Sequence, residues 1–213
     1  MSRTDAKAKR AQVRESTRQL LISTATELLR ERGSAGLTMT AVARRADVAV
    51  RTVYNHFPSA EKLIVATMTA VSKRFAALRP DRTELDEMPP LELLRTFIAR
   101  WYAELARIEH TLDAVMSVRG SATLDEALNE GRELRLRYLR VVLAKAEECG
   151  QLRVPLDDAV AVAYTATSYQ SWVSFVPQLG LSVGEAAELA TRWITGFAFR
   201  PDCAAEANGT GNN

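Results

Sequence analysis

Apolar residues return every three or four positions through almost the whole of this 213-residue chain, and nowhere do they alternate with polar ones as a half-buried strand requires. That period commits the chain to helices that each bury one stripe, so the expected class is all-α. In "RESTRQLLISTATELLRERG" the stripe runs through Leu20, Leu21, Thr24, Leu28 and Leu29, and Gly33 stands where a C-terminal cap residue belongs. Thr38 is expected to N-cap a second helix, with Ala41, Val42 and Ala43 inside it. "ADVA" reads as a tight turn and "VRTVYNHF" as a third, short helix stopped by Pro58. Ser59 then N-caps a fourth helix that runs to about Pro80, with Glu61 in the first turn, where the helix dipole favours an acid.

Longer helices are expected at about 90–107, 109–119, 122–149, 156–176 and 183–199, punctuated by Gly120, Gly150 and Gly180. Pro80, Pro89 and Pro90 bracket an acidic linker, which places a domain boundary near residue 80. The expected layout is a flexible basic arm over 1–13, a three-helix head with its connecting helix over 14–80, and a larger helical domain over 81–200. Residues 201–213, ending "AAEANGTGNN", have nothing to bury and are expected to be disordered.

Composition removes several classes. A hydrophobic content of 47% supports a buried core, yet no apolar run approaches the length of about 20 residues that crosses a bilayer. The N-terminus "MSRTDAKAKRAQVRES" lacks the apolar centre of a secretory signal. Cys149 and Cys203 are far apart and follow no ligand or bridge pattern, so neither a disulfide framework nor a metal site is expected, and a reducing cytoplasm fits. The net charge of +2 conceals an imbalance: residues 1–80 carry 15 Lys and Arg against 6 Asp and Glu, while the remainder carries 13 against 20. A basic head on an acidic body suits a polyanion partner, the bland alternative being chance clustering of surface charge.

The third helix sharpens this. About eight residues are marginal as an isolated helix, so it must lean on its neighbours through Val48, Val53 and Phe57, with Leu63 of the next helix. Its other side chains are hydrogen-bonding groups left free to face outward. Two short helices joined by a tight turn, the second rich in such groups, is how a helix-turn-helix presents side chains to the DNA major groove. Asp47 occupies the turn where Gly is common, and Asp tolerates left-handed backbone better than most residues.

The stretch "LTMTAVARRADVAVRTVYNHFPSAEKLI" resembles the DNA-binding domain of the tetracycline-repressor (TetR) family of transcriptional regulators. The pattern is the Thr that opens the second helix, the mid-helix Ala, the third helix ending Tyr54, Asn55, His56 and Phe57, then Pro58, Ser59, Glu61 and Leu63; it covers about residues 14–66. The resemblance implies that Thr38, Tyr54 and His56 contact phosphates and that Thr40, Val50, Arg51, Thr52 and Asn55 face the groove. The chemistry agrees, since Arg can bind guanine bidentately, Asn can do so with adenine, and Val or a Thr methyl can meet a thymine methyl. Ala60 stands where the family often has a phosphate-binding Lys, a contact that Lys62 replaces only in part, and Arg51 fills a position that is often Gly or Pro. Alternatives stay open for several residues. His56 could cap a helix end, Tyr54 could be core, and Arg44 and Arg45 suit a solvated face better than base reading. "RTDAKAKR" is either an arm following the groove or a solubilising tail.

In the larger domain Trp101, Tyr102, Met116, Tyr138, Tyr169 and Trp172 come from different helices and would have to converge to line a mostly apolar ligand pocket, with His110, Arg119 and Gln170 as polar contacts. Aromatic side chains in a helical bundle are also ordinary core. The last two helices carry small residues on one side: Ala159, Ala163, Ala166 and Thr167, then Ala186, Ala187 and Ala190 with Ile194 and Phe197. The resemblance implies a four-helix dimer interface from two such pairs; an intramolecular core explains the same residues.

The resemblance thus implies a homodimeric, sequence-specific repressor in the cytoplasm, released from a palindromic DNA operator by an unidentified small organic effector, with no cofactor and no membrane partner. A ligand-independent DNA binder is the nearest alternative. A helical enzyme has little support, because the chain has two histidines, no Ser-His-Asp order and no metal-spaced cluster.

Overall fold

The computed structural model describes residues 3–33, 36–117 and 122–202. Its helices are α1 (Arg3–Arg32), α2 (Met39–Arg45), α3 (Val50–His56), α4 (Ala60–Ala76), α5 (Arg82–Glu87), α6 (Pro90–Ser117), α7 (Ala122–Glu148), α8 (Leu156–Ala166), α9 (Tyr169–Val173) and α10 (Val183–Ala198). Among the described residues the one extended pairing is an isolated antiparallel bridge between Leu152 and Phe199, so the all-α expectation holds. None of these helices is long and apolar enough to cross a membrane.

The residues group into two compact units, one of Met1–Lys73 with Ile108–Leu128 and the other of Arg74–Arg107 with Asn129–Asn213. A single boundary near residue 80 therefore gives way to a division that α6 and α7 both span. The expected break at residue 108 does not occur. "ELARIEHTL" contains neither Gly nor Pro, and its buried stripe continues through Leu105, Ile108 and Leu112.

In the first unit α1 begins at Arg3, so the segment expected to be a flexible arm is helical from there on. Leu21, Thr24, Ala25, Leu28 and Leu29 are buried, but Leu20 is 45% exposed and does not belong to the stripe. Gly33, at φ 63°, ends α1 and donates its N–H to Leu29 O at 2.8 Å, a left-handed cap that a side chain would strain.

In the second unit the linker expected to be irregular contains α5. Asp81 and Glu84 form a capping box there, Glu84 N to Asp81 Oδ1 at 2.8 Å and Asp81 N to Glu84 Oε2 at 3.0 Å. Lys145 of α7 donates to the C-terminal carbonyls of Leu85 and, at 2.6 Å, Met88. The helix expected over 156–176 is interrupted after Ala166. Ser168 starts α9 by accepting from Ser171 N at 3.1 Å, and a π-turn over Ser174–Gln178 accommodates Pro177, which has no N–H to give. Gly150 (φ 67°) and Gly180 (φ 72°) mark chain reversals as expected; Gly120 lies outside the described residues, as does most of the expected disordered tail.

Candidate nucleic-acid interface

The recognition element is built from few anchors. Thr38 caps α2, its hydroxyl oxygen accepting from Ala41 N at 3.0 Å, and Met39, Val42 and Ala43 behind it are buried. Asp47 supplies the turn in left-handed backbone (φ 53°), the conformation anticipated for it. On α3 only Val53 is buried, followed by Phe57 at the C-cap, whose N–H returns to Val53 O at 2.8 Å. Leu63 of α4 is also buried, while Val48 is half-buried.

With Val53 fixing one face inward, Val50, Arg51, Tyr54 and Asn55 are all exposed, with Arg51 and Asn55 opposite the anchor. Val50 is 38% and Tyr54 50% exposed, which rules out the reading of Tyr54 as core. Thr38, Thr40 and Lys62 are exposed and Thr52 and His56 half-buried, so none of the nine candidate contacts is sequestered in the core. Arg45, by contrast, is occupied within the chain. Its guanidinium binds both carboxylate oxygens of Glu31, at 2.7 and 2.9 Å, and approaches Glu27 at 3.6 Å. It ties α2 to α1.

The first turns of α1 add residues that sequence reasoning did not single out. An open groove of about 530 Å³ is lined by Lys9, Arg10, Val13 and Arg14 of α1 together with Thr52 and His56 of α3. Arg18 lies with its guanidinium carbon 5.2 Å from the centre of the Phe57 ring, joining helix and anchor. The signal was readable: Arg10, Arg14 and Arg18 recur at intervals of four, one face of a helix.

Burial, then the positive charges of Arg14 and Arg18, hold the His56 imidazole below its ordinary pKa. A phosphate beside it would raise that value again, so DNA binding should take up a proton. Affinity is therefore expected to rise as pH falls from neutral toward about 6, near the ordinary imidazole value. The same depressed pKa makes His56 a stabilising group at neutral pH whose contribution is lost on acidification, so DNA binding must be measured where the fold is intact. Fluorescence anisotropy across this range checks it: His56→Gln should flatten the pH dependence, and an unchanged profile would remove His56 from the phosphate contacts.

The aromatic candidates divide. Trp101, Tyr102, Tyr138 and Trp172 are buried in the second unit, and Tyr169 is half-buried and stacked on Trp172 with ring centres 5.8 Å apart. Trp101 also packs on Phe75 at 4.4 Å and on Phe97 at 5.7 Å. Met116 does not join them. It belongs to the first unit and is 47% exposed, and no break separates it from Trp101 on α6. His110 and Gln170 are exposed, and Arg119 lies outside the described residues. The polar group that does reach the cluster is Arg135 of α7, which is 8% exposed and sits 4.1 Å from the Tyr164 ring and 5.9 Å from the Trp101 ring.

The small-residue seam is buried within the single chain. Ala159, Ala163, Ala166, Thr167, Ala187, Ala190 and Ile194 are all at most 5% exposed in the single chain, where α8 packs on α10. They are covered before any second copy arrives. Small residues let two helices approach closely whether or not the helices belong to one chain. What α10 leaves uncovered is Trp193, 44% exposed, and Phe197, 39% exposed, one turn apart.

The sequence profile of bacterial regulatory proteins of the tetR family matches residues 21–67, the segment that carries α2, α3 and the anchors beneath them. The match covers the DNA-binding segment and not the larger part of the chain. The all-helical fold is shared with solved structures of low sequence identity. A tetR-family transcriptional regulator from Streptomyces coelicolor superposes with a TM-score of 0.68 at 19% identity, covering 86% of this chain and 79% of that one. SmeT, the repressor of the Stenotrophomonas maltophilia multidrug efflux pump SmeDEF, gives 0.65 at 20% identity, over 86% and 91%. A SmeT–triclosan complex gives 0.64 at 18% identity, over 87% and 93%. At such identities these likenesses establish the fold alone. No curated protein sequence matches this chain.

Proposed function

We propose that the protein is a homodimeric repressor that leaves a palindromic operator when a small organic effector binds its second unit. The observation that carries the DNA half is the outward face of α3, with Val50, Arg51, Tyr54 and Asn55 exposed while Val53 holds the helix from behind. Side chains of this kind at the rim of a buried anchor have no partner to satisfy within the fold and suit base edges and phosphates. A two-fold dimer would place two such helices in successive major grooves, about 34 Å apart.

For the dimer, the exposed Trp193 and Phe197 on α10 replace the small-residue seam as the contact. Apolar rings of this size gain most when a second surface covers them. For release, the support is the buried aromatic cluster of the second unit together with the fold it shares with SmeT, a repressor whose complex with triclosan is a solved structure. An effector with higher affinity for a conformation of wrong groove spacing suffices to empty the operator.

Selection of binding sites from random duplexes tests the reading. It is expected to return an inverted repeat, and Arg51→Ala should lose about 1–3 kcal/mol on that site and relax one symmetric position. An identical consensus for wild type and Arg51→Ala would remove Arg51 from base reading; no consensus at all would leave a nonspecific DNA binder.

A further inference from the structure

Resting on the effector reading above, we propose that the effector is an organic acid whose carboxylate is taken by Arg135, with its apolar body among the aromatic side chains of the second unit. The starting point is a buried charge with no counter-charge. Among the described residues no carboxylate lies within 4.0 Å of the Arg135 guanidinium, although seven other arginines make such a contact. Its partners are neutral: Nη1 donates to Thr167 O at 3.0 Å, the guanidinium hydrogen-bonds the Tyr164 side chain, and it lies over the Tyr164 and Trp101 rings. Nε finds no acceptor. Burial pushes the guanidinium below its ordinary pKa, and Arg132 nearby adds repulsion, yet Arg stays charged at neutral pH.

A helix cap does not account for this. The break after α8 does leave carbonyls without helical partners, but neutral groups already serve them: Tyr102 Oη donates to Ala166 O at 2.7 Å and Trp101 Nε1 to Thr167 O at 3.1 Å. A second, charged donor on Thr167 O adds one hydrogen bond at the expense of burying a whole cation, which is unfavourable unless an anion answers it.

A second donor independently points the same way. Trp172 is 1% exposed and its Nε1–H has no acceptor. It stands in the first turn of α9, its backbone N–H on Ser168 O at 3.0 Å, one residue past the carbonyl that Arg135 holds. Arg135 Nε and Trp172 Nε1, one of them charged, are both buried with no acceptor among the described residues. A carboxylate offers two oxygens and a negative charge. Trp101, Phe97 and Tyr138, whose rings pack at 5.7 and 6.4 Å, provide the apolar surroundings.

The test uses the full-length protein and a series of phenylalkanoates and straight-chain alkanoates, each beside its primary amide, with inorganic phosphate as a bodiless anion. Acids are expected to raise the melting temperature and shift tryptophan emission, while matched amides and phosphate do neither. Arg135→Gln, which keeps a donor for Thr167 O, should weaken the acids about tenfold or more. Arg135→Lys should retain the preference for acid over amide, and serves if the glutamine variant does not fold. Amides as effective as acids, phosphate as effective as either, undiminished acid binding by Arg135→Gln, or a silent series would each overturn the proposal. Operator release is scored separately. Acids that bind without releasing DNA leave the anion site standing and sink the induction mechanism; neutral compounds that release DNA where acids do not bind do the reverse.

Discussion

Ala163→Glu is expected to unfold the protein rather than merely divide a dimer. Ala163 is 0% exposed in the α8–α10 seam, where the methyl group of alanine is what lets the two helices touch. A glutamate there must accommodate extra volume, at about 1–3 kcal/mol, and a carboxyl whose pKa would rise by roughly 3–5 units, at about 1.4 kcal/mol each. The sum rivals the whole stability of an ordinary domain, about 5–15 kcal/mol. Because the folded-state pKa of the new carboxyl is raised, its penalty is absent below the ordinary glutamate value, grows as pH rises above it, and is complete only above the raised value. Urea denaturation should show the loss. Trp193→Glu is the companion: at an exposed site it should leave a cooperative melt and yield folded monomers by sedimentation. A folded Ala163→Glu protein that sediments as a monomer would restore the seam to the interface between copies.

Phe57→Ala should cost about 3–5 kcal/mol, the usual range for emptying a buried phenylalanine. Phe57 is 3% exposed, closes α3 at its C-cap and meets Arg18 of α1, so its removal frees a seven-residue helix from its floor. DNA affinity should fall on cognate and noncognate duplexes alike, since every contact on the outward face depends on one helix orientation. Phe57→Leu, nearer in volume, should lose less than about 1.5 kcal/mol. Equal urea midpoints for wild type and Phe57→Ala would show that α3 is held by something other than this ring.

The helix-turn-helix was legible because its determinants are local. The Thr38 cap, the left-handed Asp47 and the spacing of Val53 to Phe57 act over at most four residues, and all three appear in the fold. The second unit was harder to read. Its α5 had a readable Asp81–Glu84 box, but six residues persist as a helix only with Lys145, sixty positions away, on the carbonyls. The break after Ala166 contains no Gly or Pro, and its carbonyls are satisfied by Trp101, Tyr102 and Arg135 from other helices. The alanine seam identified two faces correctly without saying which chain supplied the partner. Arg135 left a trace that hydrophobicity alone hides: it falls on the buried stripe of Tyr138, Leu139, Val142, Leu143 and Ala146.

The clamp on Arg45 alters how the basic head should respond to ionic strength. Cations that neutralise phosphates expel condensed counterions from the duplex, and the salt dependence of binding grows with the number so engaged. A guanidinium already held by both oxygens of Glu31 delivers little net charge to that exchange. The steepness of the salt response is then set by residues such as Arg10, Arg14, Arg51 and Lys62. The positive excess counted over residues 1–80 overstates what the duplex feels, since part of it is spent holding α2 against α1.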